Sequence, residues 1–221
     1  MTTFSKYNFP KFYPIANLDN LKDPLLFIEG LILSGVSLLQ LRSKELSRDS
    51  FVKISAEAIK TRNNLRDKHN KFTLIVINDS PEICKLIGAD GVHLGQEDIA
   101  TKAALNLLGP NSIIGLSTHT NEQVKKANEL ELTYIGVGPV FKSATKSGHA
   151  SELGLDGIRE AALLTRFPLV AIGGITTTNA KEVYQAGANS VAVIGDLLAE
   201  QINGQIDEQK NKLMEYIKLA L

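Results

Sequence analysis

Several short apolar runs in this chain end in clusters of residues that could do chemistry. Gln40-Leu41-Arg42-Ser43-Lys44 closes the run that starts at Leu38. Its amide and two cations stand at alternate positions and suit a polyanion, of which a diphosphate is the common case. Asn78-Asp79 follows Leu74–Ile77, and Gln96-Glu97-Asp98 follows Gly91–Gly95. Two acidic clusters at the ends of neighbouring strands could share a Mg2+, which takes oxygen ligands and keeps room for water and substrate phosphates. Gly173-Gly174 and Gly195-Asp196 end two later runs, and glycine lets backbone N–H groups come close to a ligand. The stretch opening with Phe141-Lys142-Ser143-Ala144-Thr145-Lys146 stays polar to about Gly154. It exceeds an ordinary strand–helix connection and suits a flap over a site.

Each cluster has a plainer reading beside this one. Arg42 and Lys44 could be solvated loop charges, and 141–154 an ordinary surface loop. Asp79, in Asp79-Ser80-Pro81-Glu82, also reads as a helix cap. Glu97 and Asp98 also read as first-turn acids favoured by a helix dipole. Recurrence on successive units, with basic and acidic clusters facing one another, favours chemistry. His69, His93, His119 and His149 form no zinc pattern, and His93 reads as a packed or lumen histidine. No Ser-His-Asp set with a nucleophile elbow is present, and Cys84 reads as core.

The elements that must position these clusters alternate along the whole chain. Strands are expected at Phe12–Ala16, Ser37–Leu41, Phe72–Ile77, Gly91–Leu94, Ile113–Leu116, Tyr134–Val137, Leu169–Ile172 and Ser190–Ile194. Nearly unbroken apolar runs of this length suit strands buried on both faces of a parallel sheet. Helical spacing lies between them, as at Phe51, Ile54, Ala58, Ile59 and Leu65. Asp79–Glu82 and Thr120-Asn121-Glu122-Gln123 signal helix starts, the second in capping-box form. Asp196–Leu221 reads as a closing helix with a break near Asn203-Gly204. Eight strand–helix units predict a single α/β domain over 1–221, a (β/α)8 TIM barrel of parallel strands with 1–11 as an N-terminal extension. Its chemistry would sit where the polar clusters are, past the carboxyl ends of the strands. A doubly wound open sheet is the competitor, but Ala16-Asn17-Leu18-Asp19 lacks the glycine-rich turn expected of a nucleotide-binding version. The end of the first strand also lacks the polar cluster expected of a barrel.

Charge and composition exclude several classes. Lys plus Arg and Asp plus Glu each total 24 of 221 residues, so no charge excess draws the molecule to nucleic acid or an anionic membrane. No apolar stretch nears the roughly 20 residues needed to span a bilayer. MTTFSKYNFPKFYP has no apolar core of a secretory signal. One cysteine rules out an internal disulfide and fits a reducing, cytoplasmic setting. The sequence leaves oligomeric state open, a homo-oligomer included.

Taken together the clusters resemble the thiamine phosphate synthase family. The likeness spans Phe12 to about Leu198 in order and spacing. It is carried by Gln40–Lys44, Asn78-Asp79, the run Ala89–Asp98, Gly115-Leu116-Ser117-Thr118-His119, Gly136–Phe141 and Ala171–Ile175. The resemblance implies a TIM barrel that joins hydroxymethylpyrimidine diphosphate to a thiazole phosphate, releasing diphosphate. It implies that Gln40, Leu41, Arg42, Ser43, Lys44, Asn78, Ser117 and Lys146 hold the pyrimidine diphosphate. Of these, Arg42, Lys44, Ser117 and Lys146 would be catalytic. It implies Mg2+ on Asp79 and Asp98, and thiazole phosphate on Ser143, Ala144, Thr145, Gly174, Ile194 and Gly195. Two departures stand out: Lys142-Ser143 where the family usually has Pro-Thr, and Gly195 where it usually has Ser. The second removes a phosphate donor worth about 1.5–3 kcal/mol, while keeping a backbone N–H that glycine can bring closer. Three other functions stay open on the same residues: a thiazole tautomerase-like isomerase, a non-catalytic sensor of thiamine precursors, and a sugar-phosphate isomerase.

Overall fold

A computed structural model describes residues 4, 8–69, 72–142, 151–197 and 206–219. Eight described strands, all paired in parallel, close into a barrel in chain order. They are β1 Phe12–Asn17, β2 Leu38–Arg42, β3 Leu74–Asn78 and β4 Gly91–Leu94, then β5 Ile113–Thr118, β6 Tyr134–Val137, β7 Leu169–Ile172 and β8 Ser190–Val193. The open-sheet alternative fails at the seam, where Phe12, Tyr13 and Pro14 of β1 pair with Val191, Ala192 and Val193 of β8. The helices are α1 Pro24–Leu33, α2 Arg48–His69, α3 Pro81–Ile87, α4 Thr101–Leu108, α5 Asn121–Ala127, α6 Gly154–Leu164, α7 Ala180–Gln185 and α8 Ile206–Leu219. None of the described helices is long and apolar enough to cross a membrane.

Three strands have the expected bounds and β8 stops at Val193, one residue short, whereas β1, β2, β3 and β5 run on to Asn17, Arg42, Asn78 and Thr118. The reason is backbone pairing: a ladder hydrogen bond needs only N–H and C=O, so pairing outlasts the apolar run. Asn78 still pairs with His93, and Asn17 with Arg42.

Strand alternation divides the apolar residues into two cores. Outward-facing Leu39, Leu41, Ile75, Ile77, Val92, Leu94, Ile135, Val137, Val191 and Val193 pack against the helices. The lumen core contains Tyr13, Ile15, Leu38, Val76, Ile113, Tyr134, Val170 and Ala192, with Phe9 beneath. Gly115 makes room in that lumen, because a Cβ there would overlap the Tyr134 ring and the His93 imidazole. The same alternation puts a lumen residue at the carboxyl end of each of the first three strands: Asn17, Arg42 and Asn78.

Helix starts follow their caps. Asp23 accepts the Leu26 N–H before Pro24 opens α1, and Ser80 accepts that of Ile83 before Pro81 opens α3. Thr120 accepts the Gln123 N–H of α5, but the reciprocal bond of the predicted box shifts by one residue. Gln123 Oε1 accepts from His119 N–H instead. α8 and a helical turn at 195–197 occupy the predicted closing helix, while 198–205 lie outside the described residues.

Candidate active site

The end of β2 supplies the cations, and its neighbours fix them. Leu38, Gln40 and Arg42 climb one face of the strand, from apolar floor to polar rim. Arg42 Nη1 donates to Asn17 Oδ1 at 2.7 Å, and Asn17 is itself 5% exposed. The first strand therefore does end in a buried polar residue, against expectation. One buried amide serves as its cluster, holding a cation that belongs to the next strand.

Past Arg42 the chain wraps around Asp19. Its carboxylate accepts from the Ser43 hydroxyl, from Lys44 N–H at 2.8 Å and from Glu45 N–H at 3.3 Å. Burial works against the Asp19 charge, but the Ser43 hydroxyl and the loop N–H groups outweigh it and hold the carboxyl below its ordinary value. Ser43 is thereby engaged in shaping its own loop, its oxygen also accepting Leu46 N–H at 3.0 Å. Leu41 turns its side chain into the outer core, which leaves the mouth only its backbone.

Lys44 crosses to β3 and forms an ion pair with Asp79. Asp79 has φ 63°, the only non-glycine residue at positive φ among those described. Aspartate tolerates this left-handed conformation better than most residues, and strain of this kind tends to gather at functional sites. Asp79 N–H donates to His93 O at 2.8 Å, and Ser80 takes over the capping of α3. The capping role that Asp79 could have had thus falls to its neighbour, and its carboxylate faces a cation.

Asp98 follows β4, the strand beside β3, and accepts Gly95 N–H at 2.6 Å. Helix α4 starts only at Thr101 and carries no acid in its first turn. Neither Glu97 nor Asp98 is a first-turn acid. Among the described residues no three His, Cys, Asp or Glu side chains converge as a ready-made metal cage. Two oxygen donors on adjacent strand ends, one already facing an ammonium, fit a hard cation that completes its shell with water and substrate.

Ser117 lies in the lumen of β5. Its hydroxyl meets His93 Nε2 at 2.8 Å, and its carbonyl accepts from Gln96 Nε2 at 2.5 Å. His93 Nδ1 meets the Tyr134 hydroxyl at 2.9 Å, and that hydroxyl meets Tyr13 at 2.9 Å. Gln40 Nε2 donates to Tyr13 at 3.1 Å. A single hydrogen-bonded path therefore runs Gln40–Tyr13–Tyr134–His93–Ser117 across the lumen, from β2 to β5. Its donor and acceptor roles follow the His93 tautomer. Burial raises both phenols well above the ordinary tyrosine value, so they act as neutral hydrogen-bonding groups. Neither tyrosine was singled out from the sequence, since each sits in an apolar run and reads as core.

After β7, Gly173 and Gly174 have φ 108° and 62°. A Cβ on Gly174 would fall 2.5 Å from Lys142 O and 2.8 Å from Phe141 Cβ. The close approach these glycines permit is first to the chain itself, at the root of the predicted flap, where Phe141 N–H also donates to Gly173 O at 3.0 Å. After β8, Ile194 is half-buried and Gly195 exposed. Ser143, Ala144, Thr145 and Lys146 lie outside the described residues. A cavity of about 230 Å3 between α5 and α6, lined by His119, Asn121, Leu153 and Glu160 among others, contains none of the predicted site residues.

The model of the family described as thiamine monophosphate synthase matches residues 12–197. The chain belongs to the thiamine monophosphate synthase family. A thiamine-phosphate synthase of Caldicellulosiruptor saccharolyticus is 38% identical over 191 residues, covering 86% of this chain and 82% of the relative. One from Koribacter versatilis is 36% identical over 197 residues, covering 86% and 90%. Among solved structures, a thiamine phosphate pyrophosphorylase from Pyrococcus furiosus superposes with TM-score 0.78 at 28% identity, covering 95% of each chain. The family segment runs from β1 to the helical turn after β8 and includes every predicted site residue; α8 lies beyond it.

Proposed function

We propose that this chain works as a thiamine-phosphate synthase whose reaction takes place at the carboxyl mouth of the barrel. Hydroxymethylpyrimidine diphosphate loses diphosphate, which leaves with the C–O electron pair. The thiazole nitrogen then bonds to the methylene carbon, giving thiamine phosphate. The aminopyrimidine ring stabilises the cation formed between the two steps, so little general base is required. What the protein must supply is charge for the leaving group and a fixed geometry.

Arg42 and Lys44, held by Asn17 and Asp79, would meet the diphosphate, joined by Lys146. Asn78, Gln40 and Ser117 would orient the pyrimidine end, with Leu41 and Ser43 contributing through the backbone and shape of their loop. Asp79 and Asp98 would hold Mg2+, which when bound neutralises diphosphate oxygens as negative charge builds on them. Lys44 would then exchange its ion pair with Asp79 for the arriving diphosphate. Ser143, Ala144 and Thr145, with Gly174, Ile194 and Gly195, would receive the thiazole phosphate. A cytoplasmic setting suits Cys84, whose thiol is buried, pushed up to about 12 mainly by that burial, and inert.

The observation that carries this reading is the Lys44–Asp79 ion pair just past β2 and β3, with Arg42 held by Asn17 at the end of β2 and Asp98 after the next strand. The direct experiment mixes purified protein with both substrates and Mg2+, then detects thiamine phosphate by fluorescence after oxidation. No product from folded protein would sink the reading.

A further inference from the structure

Gly195, the candidate phosphate contact after β8, is followed at once by a carboxylate. Asp196 is only 17% exposed and has both oxygens taken by α8. Lys212 Nζ lies 3.1 Å from Oδ1, and the Tyr216 hydroxyl donates to Oδ2 at 2.6 Å. The two partners are four residues apart and so share one helix face. Tyr216 is fully buried and stacks on Phe12 of β1 at 4.7 Å between ring centroids, which seats α8 against the barrel. Lys212 is itself only 15% exposed. Lys212 and Tyr216 lie beyond the segment matched by the family model, whereas Asp196 and Phe12 lie inside it.

An anion site has no obvious use for a carboxylate one residue away, because like charges a few ångströms apart repel. Held by a lysine, that charge is cancelled. Held also by a seated tyrosine, the turn 194–197 keeps a fixed course. We propose that Lys212 and Tyr216 are positioning residues for the thiazole phosphate: they clamp Asp196 and offset its charge, so that Ile194 and Gly195 can present an anion site. This rests on the proposed function, and specifically on thiazole phosphate binding at Gly195. The clamp also offers a physical reason why glycine suffices where the family usually has a serine. The loop is ordered from outside, by α8, and need not be ordered by its own side chain.

The test is steady-state kinetics with each substrate varied in turn. Lys212→Met leaves the carboxylate uncompensated and should raise KM for thiazole phosphate about tenfold, with KM for pyrimidine diphosphate within about twofold. Adding Asp196→Asn to that variant removes the charge and should return the thiazole KM to within about threefold of wild type. Asp196→Asn alone keeps an oxygen for Tyr216 and leaves Lys212 positive, so its thiazole KM should stay level or fall. An unchanged thiazole KM in Lys212→Met would overturn the proposal. So would a double variant as impaired as the single one, or equal rises in both KM values. Should Lys212→Met fail to fold, as its melting curve would reveal, Asp196→Asn decides alone, a tenfold rise counting against. An inactive wild-type protein would instead refute the proposed function, so the two failures are distinguishable.

Discussion

The two ends of the barrel are built from the same strands on the same alternation, yet they solve opposite problems. At the amino end Phe4 packs on Phe9 at 5.1 Å, Phe9 on Tyr134 at 5.3 Å, and Tyr13 meets Tyr134 edge-on at 5.6 Å. Leu38, Leu74, Ile113 and Val170 pack in the same cluster. At the carboxyl end the lumen side chains include Asn17, Arg42, Asn78 and Ser117; Arg42 donates to Asn17, Ser117 meets His93, and Lys44 pairs with Asp79 beside them. One end excludes water and contributes to stability. The other holds charges in fixed places at some cost to stability, the usual division of labour in this fold.

The comparison breaks most sharply if the mouth proves structural. Asp79→Asn combined with Asp98→Asn should lower kcat by about 10^4-fold or more, taking each removed group at about 10²–10³. The melting temperature should change little, since both side chains are partly exposed and asparagine tolerates the left-handed backbone at residue 79 and keeps an oxygen for Gly95 N–H at residue 98. Activity surviving in that variant, or in EDTA, would remove the carboxylates from the mechanism.

Phe9→Ala probes the other end. It should cost about 3–4 kcal/mol of stability by opening the floor of the lumen, measured by denaturant unfolding, while kcat at a permissive temperature changes little. A large kcat loss with unchanged stability would mean that the floor reaches into the chemistry.

Tyr134→Phe sharpens the boundary, because the Tyr13–Tyr134–His93 path joins the two ends. It removes one hydroxyl and deprives both Tyr13 and His93 of a bond, which should cost about 1–3 kcal/mol. Both phenols have raised values in the fold, so their stabilising effect is complete below the ordinary tyrosine value of 10.0. It is lost as pH rises beyond that, because the unfolded chain ionises first. Wild-type stability should therefore fall above pH 10 more steeply than that of Tyr134→Phe, as followed by urea midpoints across pH. Parallel curves would contradict this.

The smallest effect belongs to Asp19→Asn, about 1 kcal/mol or less at neutral pH, since the site is partly exposed to water. Asp19 has a lowered value, so its contribution is present above the ordinary 3.8 and disappears as pH falls through the lower folded one. Wild type and variant should converge in acid, and a gap that persists there would show that the loop is held by other means.

Much of this was legible in the chain. Apolar runs locate β-strands buried on both faces because a parallel barrel leaves them no solvent side, and all eight expected strands are present. Clusters at the run ends locate the mouth for the same reason. Strand ends were less legible, since pairing continues through Arg42 and Asn78 after hydrophobicity stops. Pairwise commitments were not legible at all. Asp79 and Ser80 are equally good caps on paper, and only the left-handed turn at Asp79 gives α3 to Ser80. Asn17 looked bland because its partner, Arg42, is 25 residues away.

What the linear chain determines on its own is periodicity and composition: which segments must be buried, where each run stops, and which chemical groups stand at the stops. Those depend on local sterics and on apolar burial, both readable residue by residue. Which group meets which is another matter, from Lys44 on Asp79 to Tyr216 on Asp196 and the tyrosine path beneath Ser117. Such meetings are set by barrel closure and strand stagger, which bring together residues 20 to 121 positions apart. A hydrogen bond lasts over only a few tenths of an ångström, and that precision comes from the packed fold as a whole.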